Sequence, residues 1–112
     1  MATMNVHTYR QFDSELESIR SGVLKMGGLV ETQVANAMEG LKSGELALLD
    51  RVIEIDHRIN LLEMQLDEEC NHIIAKRQPT AVDLRLVMTV IRSISDLERI
   101  GDEAKKIAKA AK

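Results

Sequence analysis

Apolar side chains recur along the first third of the chain at Phe12, Leu16, Ile19, Val23, Met26, Val30, Val34, Ala37 and Leu41, in steps of three and four. Helical residues advance by about 100° each, so this spacing lines one face of an α-helix. It predicts a first helix from about Thr8 to Lys42. Ser43-Gly44 closes that helix, glycine being the residue that tolerates the left-handed conformation at a helix end. The rhythm resumes at Val52, Ile55, Ile59, Leu62, Leu66 and Ile73, predicting a second helix from Glu45 to about Lys76. Pro79 stops it, because its ring fixes φ, removes an N–H and pushes Gln78 out of the α region. Thr80 and Asp83 then read as a capping box, in which a hydroxyl and a carboxylate satisfy amides the first turn leaves free. The third helix runs from Val82 to about Ala110 with Val87, Val90, Ile94, Leu97, Ile100, Ala104 and Ile107 on its apolar face.

Connections this short force consecutive helices to be antiparallel neighbours. The expected fold is therefore all-α: a long antiparallel up-down-up three-helix bundle forming one domain over residues 1–112. Glycines at 22, 27, 28 and 40 interrupt the first helix, and each interior glycine costs up to about 1 kcal/mol relative to alanine. Gly27-Gly28 is read as a place of close approach to the backbone, a helix contact or a bend.

Composition adds limits. Tyr9 and Phe12 are the only aromatic residues, so the core is aliphatic. A net charge of −3 with acidic and basic residues interleaved leaves no electrostatic footprint for nucleic acid. Cys70 is the single cysteine, which excludes an internal disulfide and zinc-type cysteine spacing, and it reads as a small buried apolar group. Met1 to Tyr9 lacks the basic start and apolar core of a signal peptide, and no apolar run approaches membrane-spanning length. A cytosolic protein without membrane insertion is expected.

The chemistry-bearing residues are carboxylates. On the second helix Asp56, Asn60, Glu63 and Asp67 sit beside the apolar face, displaced by about 60 to 120°, and Glu98 and Asp102 are displaced by about 70 to 110° in the same sense on the third. Antiparallel neighbours bring such strips face to face. Counting outward from the two turns sets Glu98 level with Asn60, Asp102 with Asp56, and Asp56 with Glu31. Five oxygen-bearing residues, Glu31, Asp56, Asn60, Glu98 and Asp102, are thus expected at one height. Clustered carboxylates repel unless a cation neutralises them, and hard oxygen ligands suit Mg, Mn or iron. The alternative reading is a solvated flank, with some of these residues paired to Arg58, Arg99 or Lys105. Glu54 with His57 and Glu69 with His72 match the Glu-x-x-His spacing of di-iron bundles. Glu54, His57 and His72 point away from the core stripe, however, which disfavours a buried di-iron centre.

The run from Gln11 to Ala108 closely resembles the PhoU family of bacterial phosphate-signalling regulators. The resemblance rests above all on Met26-Gly27-Gly28-Leu29-Val30-Glu31, Ile74-Ala75-Lys76-Arg77-Gln78-Pro79-Thr80-Ala81, Asp83-Leu84-Arg85 and Leu97-Glu98-Arg99-Ile100-Gly101-Asp102. It implies a cytosolic, non-enzymatic adaptor that associates with the phosphate-specific ABC transporter and a sensor histidine kinase and holds the starvation signal off. It also implies multinuclear metal binding through the acidic signature, here Glu98 and Asp102, and a tendency to dimerise. Asp83 and Arg85 are the positions to which partner contact is transferred. Family members hold two such bundles in tandem, so this chain looks like the amino-terminal half. Exposed apolar candidates for a homodimer contact are Leu84, Met88 and Ile91. An independent metal-binding bundle with a storage or redox role is the other reading.

Overall fold

The computed structural model describes residues 2–112, with side chains from Arg10 onward. Three helices, α1 (Ala2–Ser43), α2 (Leu46–Arg77) and α3 (Ala81–Ala111), form the expected up-down-up bundle, with no strand among the described residues. At about 1.5 Å per residue, α1 alone accounts for the 63 Å length of a rod that is 20 by 16 Å across. α1 begins ahead of the predicted Thr8, because one or two turns hold too few apolar positions to define a face.

Both turns follow the local chemistry. Gly44 takes φ 72° and its N–H donates to Gly40 O at 2.8 Å. Gln78 caps α2 in a left-handed conformation (φ 47°, ψ 63°), and Pro79 prevents the helix from resuming. At the start of α3 the Asp83 N–H donates to Thr80 Oγ1 at 3.4 Å. The Thr80 hydroxyl in turn donates to Asp83 Oδ2 at 3.1 Å, so the carboxylate holds a hydroxyl where a full capping box would hold a backbone amide.

The core divides in two. Ile19, Met26, Val30, Ile59, Leu66, Cys70, Ile73, Val87, Val90 and Ile94 form a large cluster towards Pro79. Ala37, Leu49, Val52, Ala104 and Ala108 form a small one towards Gly44. Three predicted stripe residues are exposed rather than packed: Val34, Leu41 and Ile100, at 39, 53 and 47%. The seam on α1 keeps the strict three-four alternation through Met26, Val30, Gln33, Ala37 and Gly40, whereas the apolar residues take two steps of four at Val30 and Val34 and fall one position off it. Gly40 occupies the seam because α2 comes so close that a Cβ there would meet the Leu49 side chain, and Gly22 likewise lies against Leu66. Close approach is thus at Gly22 and Gly40; a Cβ on Gly27 or Gly28 would meet nothing within 4 Å.

Burial, with smaller contributions from Asp67 and Glu69, pushes the Cys70 thiol up to about 11, in keeping with an unreactive core residue. Among the described residues no helix is long and apolar enough to cross a membrane.

Candidate functional site

Val30, Ile59 and Gly101 meet at one level of the bundle: a Cβ on Gly101 would stand 3.7 Å from Val30 Cγ2 and 3.8 Å from Ile59 Cδ1. The candidate ligands flank these three residues in sequence, Glu31 beside Val30, Asp56 and Asn60 around Ile59, Glu98 and Asp102 around Gly101. They share a height but not a side. Glu31 is exposed in the shallow groove between α1 and α3, with Gly27, Gly28, Ser93 and Asp96. Asp56, Asn60, Glu98 and Asp102 belong to the α2–α3 side.

Helix phase explains the separation. The acidic edge of α2 faces α3, so its opposite edge faces α1. The antiparallel pair α1 and α2 meets through like edges, which leaves the acidic edge of α1 turned to α3.

Within the α2–α3 strip the carboxylates have different partners. Asp56 is 4% exposed; its Oδ2 lies 3.1 Å from Lys105 Nζ and accepts from Asn60 Nδ2 at 3.3 Å. Asp102, half exposed, pairs with Lys106 one turn on, at 3.3 Å. The Lys106 ammonium is held above its ordinary value by hydrogen bonds to Asp102 and Glu103. Glu63 has the opposite environment: burial pushes its carboxyl up, and the charges of Glu98 and Asp67 add to the effect. Among the described residues no three His, Cys, Asp or Glu side chains converge closely enough to hold a metal ion. As they stand, the five residues do not fit one shared metal centre.

The partner positions also differ from each other. Arg85 is exposed, whereas Asp83 is half buried and tied to Thr80. Of the Glu-x-x-His residues, Glu54, His57, Glu69 and His72 are all exposed, and Glu69 accepts from Ser18 Oγ at 3.2 Å. The His7 side chain lies outside the described residues.

Two polar features escaped the sequence reading. Arg77 Nη2 and Nε donate to Glu15 Oε1 and Oε2 at 2.6 and 3.1 Å, clasping α1 to the end of α2, with His72 Nε2 3.7 Å from the same carboxylate. The Arg77 hydrogen bonds hold Glu15 below its ordinary range against the effect of burial. Gln33, fully buried, donates Nε2 to Val52 O at 2.8 Å, and its Oε1 has no partner. Its place on the seam between Val30 and Ala37 was the available signal.

Residues 23–111 match the PhoU domain family. The phosphate-specific transport system accessory protein PhoU of Serratia marcescens is 55% identical over 108 residues, which are 96% of this chain and 44% of that protein. Its Escherichia coli K12 counterpart is 51% identical over 108 residues, 96% of this chain and 45% of the relative. The crystal structure of PhoU from Pseudomonas aeruginosa superposes with a TM-score of 0.86 at 52% identity, covering 89% of this chain and 48% of that one. The chain thus spans a little under half the length of these relatives. With a family match over residues 23–111, relatives above 50% identical over nearly the whole chain and a solved structure that superposes on the same bundle, the chain belongs to the PhoU family.

Proposed function

We propose that this bundle is a regulatory adaptor of phosphate uptake and signalling, linking a phosphate-specific ABC transporter to a sensor histidine kinase and holding the starvation response off. The observation that supports it most is identity above 50% over 96% of the chain to proteins named as accessory to the phosphate-specific transport system. The surface suits a binding role: exposed Arg85 lies among Leu84 and Met88, 38 and 49% exposed, at the start of α3. No reaction is assigned to the bundle. A pull-down against the transporter ATPase and the sensor kinase tests the reading, with capture expected for the wild type and clearly weaker capture for Arg85→Ala and Asp83→Ala. Failure of the wild type to bind either protein contradicts it, and unchanged capture by both variants moves the interface elsewhere.

Dimerisation through the same part of α3 belongs to the proposal. Leu84 and Met88 supply the exposed apolar surface, while Ile91 packs largely against the core. Light scattering at tens of micromolar should give twice the 12.5 kDa of one chain; a value of 12.5 kDa rejects the dimer.

Metal binding is a separate part. In this proposal a Mg, Mn or iron ion is held at the outer edge of the strip by Glu98 and Asp102, in competition with Lys106, and not by Asp56, Asn60 or Glu31. Equal metal uptake by wild type and by Glu98→Gln with Asp102→Asn, measured by calorimetry, would place any metal elsewhere.

A further inference from the structure

Asp56 is the one buried charged residue among those described, and it lies where the large and small apolar clusters meet. A carboxylate taken out of water needs a counter-charge and hydrogen bonds. Lys105, 26% exposed at its side chain, reaches it from α3 at 3.1 Å. One turn before Asp56 on α2, the Val52 carbonyl accepts from Gln33 of α1. All three helices therefore contribute to one polar layer, in which the Asp56 and Lys105 charges cancel.

We propose that Lys105 is the resident cation of this layer, its ammonium filling in charge and position the place a metal ion on Asp56 would take. Two details lead there besides the 3.1 Å contact. Asp56 Oδ2 is already engaged by two donors. Asn60 turns its amide nitrogen to Asp56, and an amide nitrogen carrying two protons does not ligate a metal. A divalent ion on Asp56 would have to displace the ammonium and break the Asn60 hydrogen bond to the same oxygen. Metal uptake by the strip is thus kept from the core level by a side chain of the protein itself. This inference concerns only the cation that neutralises Asp56 and does not depend on which partner the bundle meets.

The experiment is a Mn²⁺ titration by calorimetry, with thermal melting of the same samples with and without Mn²⁺. Asp56→Asn alone should leave wild-type uptake unchanged. Lys105→Met, which keeps length but removes charge, should bind Mn²⁺ about tenfold or more tightly, the scale on which a charge at this distance shifts a carboxylate's affinity for a cation. Mn²⁺ should also raise the melting temperature of Lys105→Met. Adding Asp56→Asn to Lys105→Met should abolish the gain, and Lys105→Arg should behave as the wild type. Three results would overturn the proposal: equal uptake by Lys105→Met and wild type, loss of wild-type uptake in Asp56→Asn alone, or a Lys105→Met chain that fails to fold and is not restored by millimolar Mn²⁺.

Discussion

Towards Pro79 the bundle is filled by Ile19, Met26, Leu66, Ile73, Val87 and Ile94, and Glu15 and Arg77 clasp α1 to α2. Towards Gly44 the same three helices meet through Ala37, Ala104 and Ala108, with Leu49 and Val52 the only large side chains in the buried cluster. Burial of a Leu or Ile contributes about 1.5 to 3 kcal/mol, and alanine offers far less apolar area. The two ends are therefore held differently: helices approach closely at both, at Gly22 and at Gly40, but only the Pro79 end adds a large volume of buried side chains. The candidate partner residues Asp83 and Arg85 stand at the end held by volume, a fixed platform for a docking surface.

The sharpest way to break this comparison is to hollow out each end in turn. Leu66→Ala or Ile94→Ala should cost about 3 to 5 kcal/mol in chemical denaturation, while Ala104→Gly should cost about 1 kcal/mol. Equal losses would mean that the ends are not distinct. Glycine substitutions come next in size. Gly40→Ala forces a Cβ against buried Leu49 and should destabilise by about 1 to 3 kcal/mol. Gly27→Ala enters open space in mid-helix and should stabilise by up to about 1 kcal/mol.

Two smaller effects depend on pH. Folding lowers the Glu15 pKa, so its contribution is complete above the ordinary 4.5 and is lost as pH falls through the folded value. Glu15→Gln should therefore lower the melting temperature at neutral pH and flatten its decline below about pH 4.5. Folding raises the Glu63 pKa, so ionised Glu63 costs stability above its folded value, and the cost disappears as pH falls towards 4.5. Glu63→Gln should raise the melting temperature slightly at pH 7, the smallest change of the set; a decrease would show that the Glu63 charge is compensated.

Helices, turns and antiparallel order were legible because each has a local cause: a period near 3.6, Gly44 at a positive φ, and Pro79 after Gln78. Axial level was legible too, since counting from a turn needs only the rise per residue. The side on which Glu31 falls was not, because it depends on which edge of α2 has already been taken by α3. Lys105 was legible as a partner for one of these carboxylates, but that it would settle on Asp56 while Asp102 takes Lys106 depends on where flexible lysine side chains lie. The apolar pattern misplaced Val34 and Leu41 for a related reason: helix packing kept Gln33 and Gly40 on the seam.

The difference between the two ends is tested most directly by residue-resolved amide hydrogen exchange under native conditions. Amides around Ile19, Leu66 and Ile94 should exchange only through global unfolding, and those around Ala37, Leu49 and Ala108 about tenfold or more faster through local opening. Uniform protection along all three helices, or slower exchange at the Gly44 end, would contradict the assignment of stability to the Pro79 end.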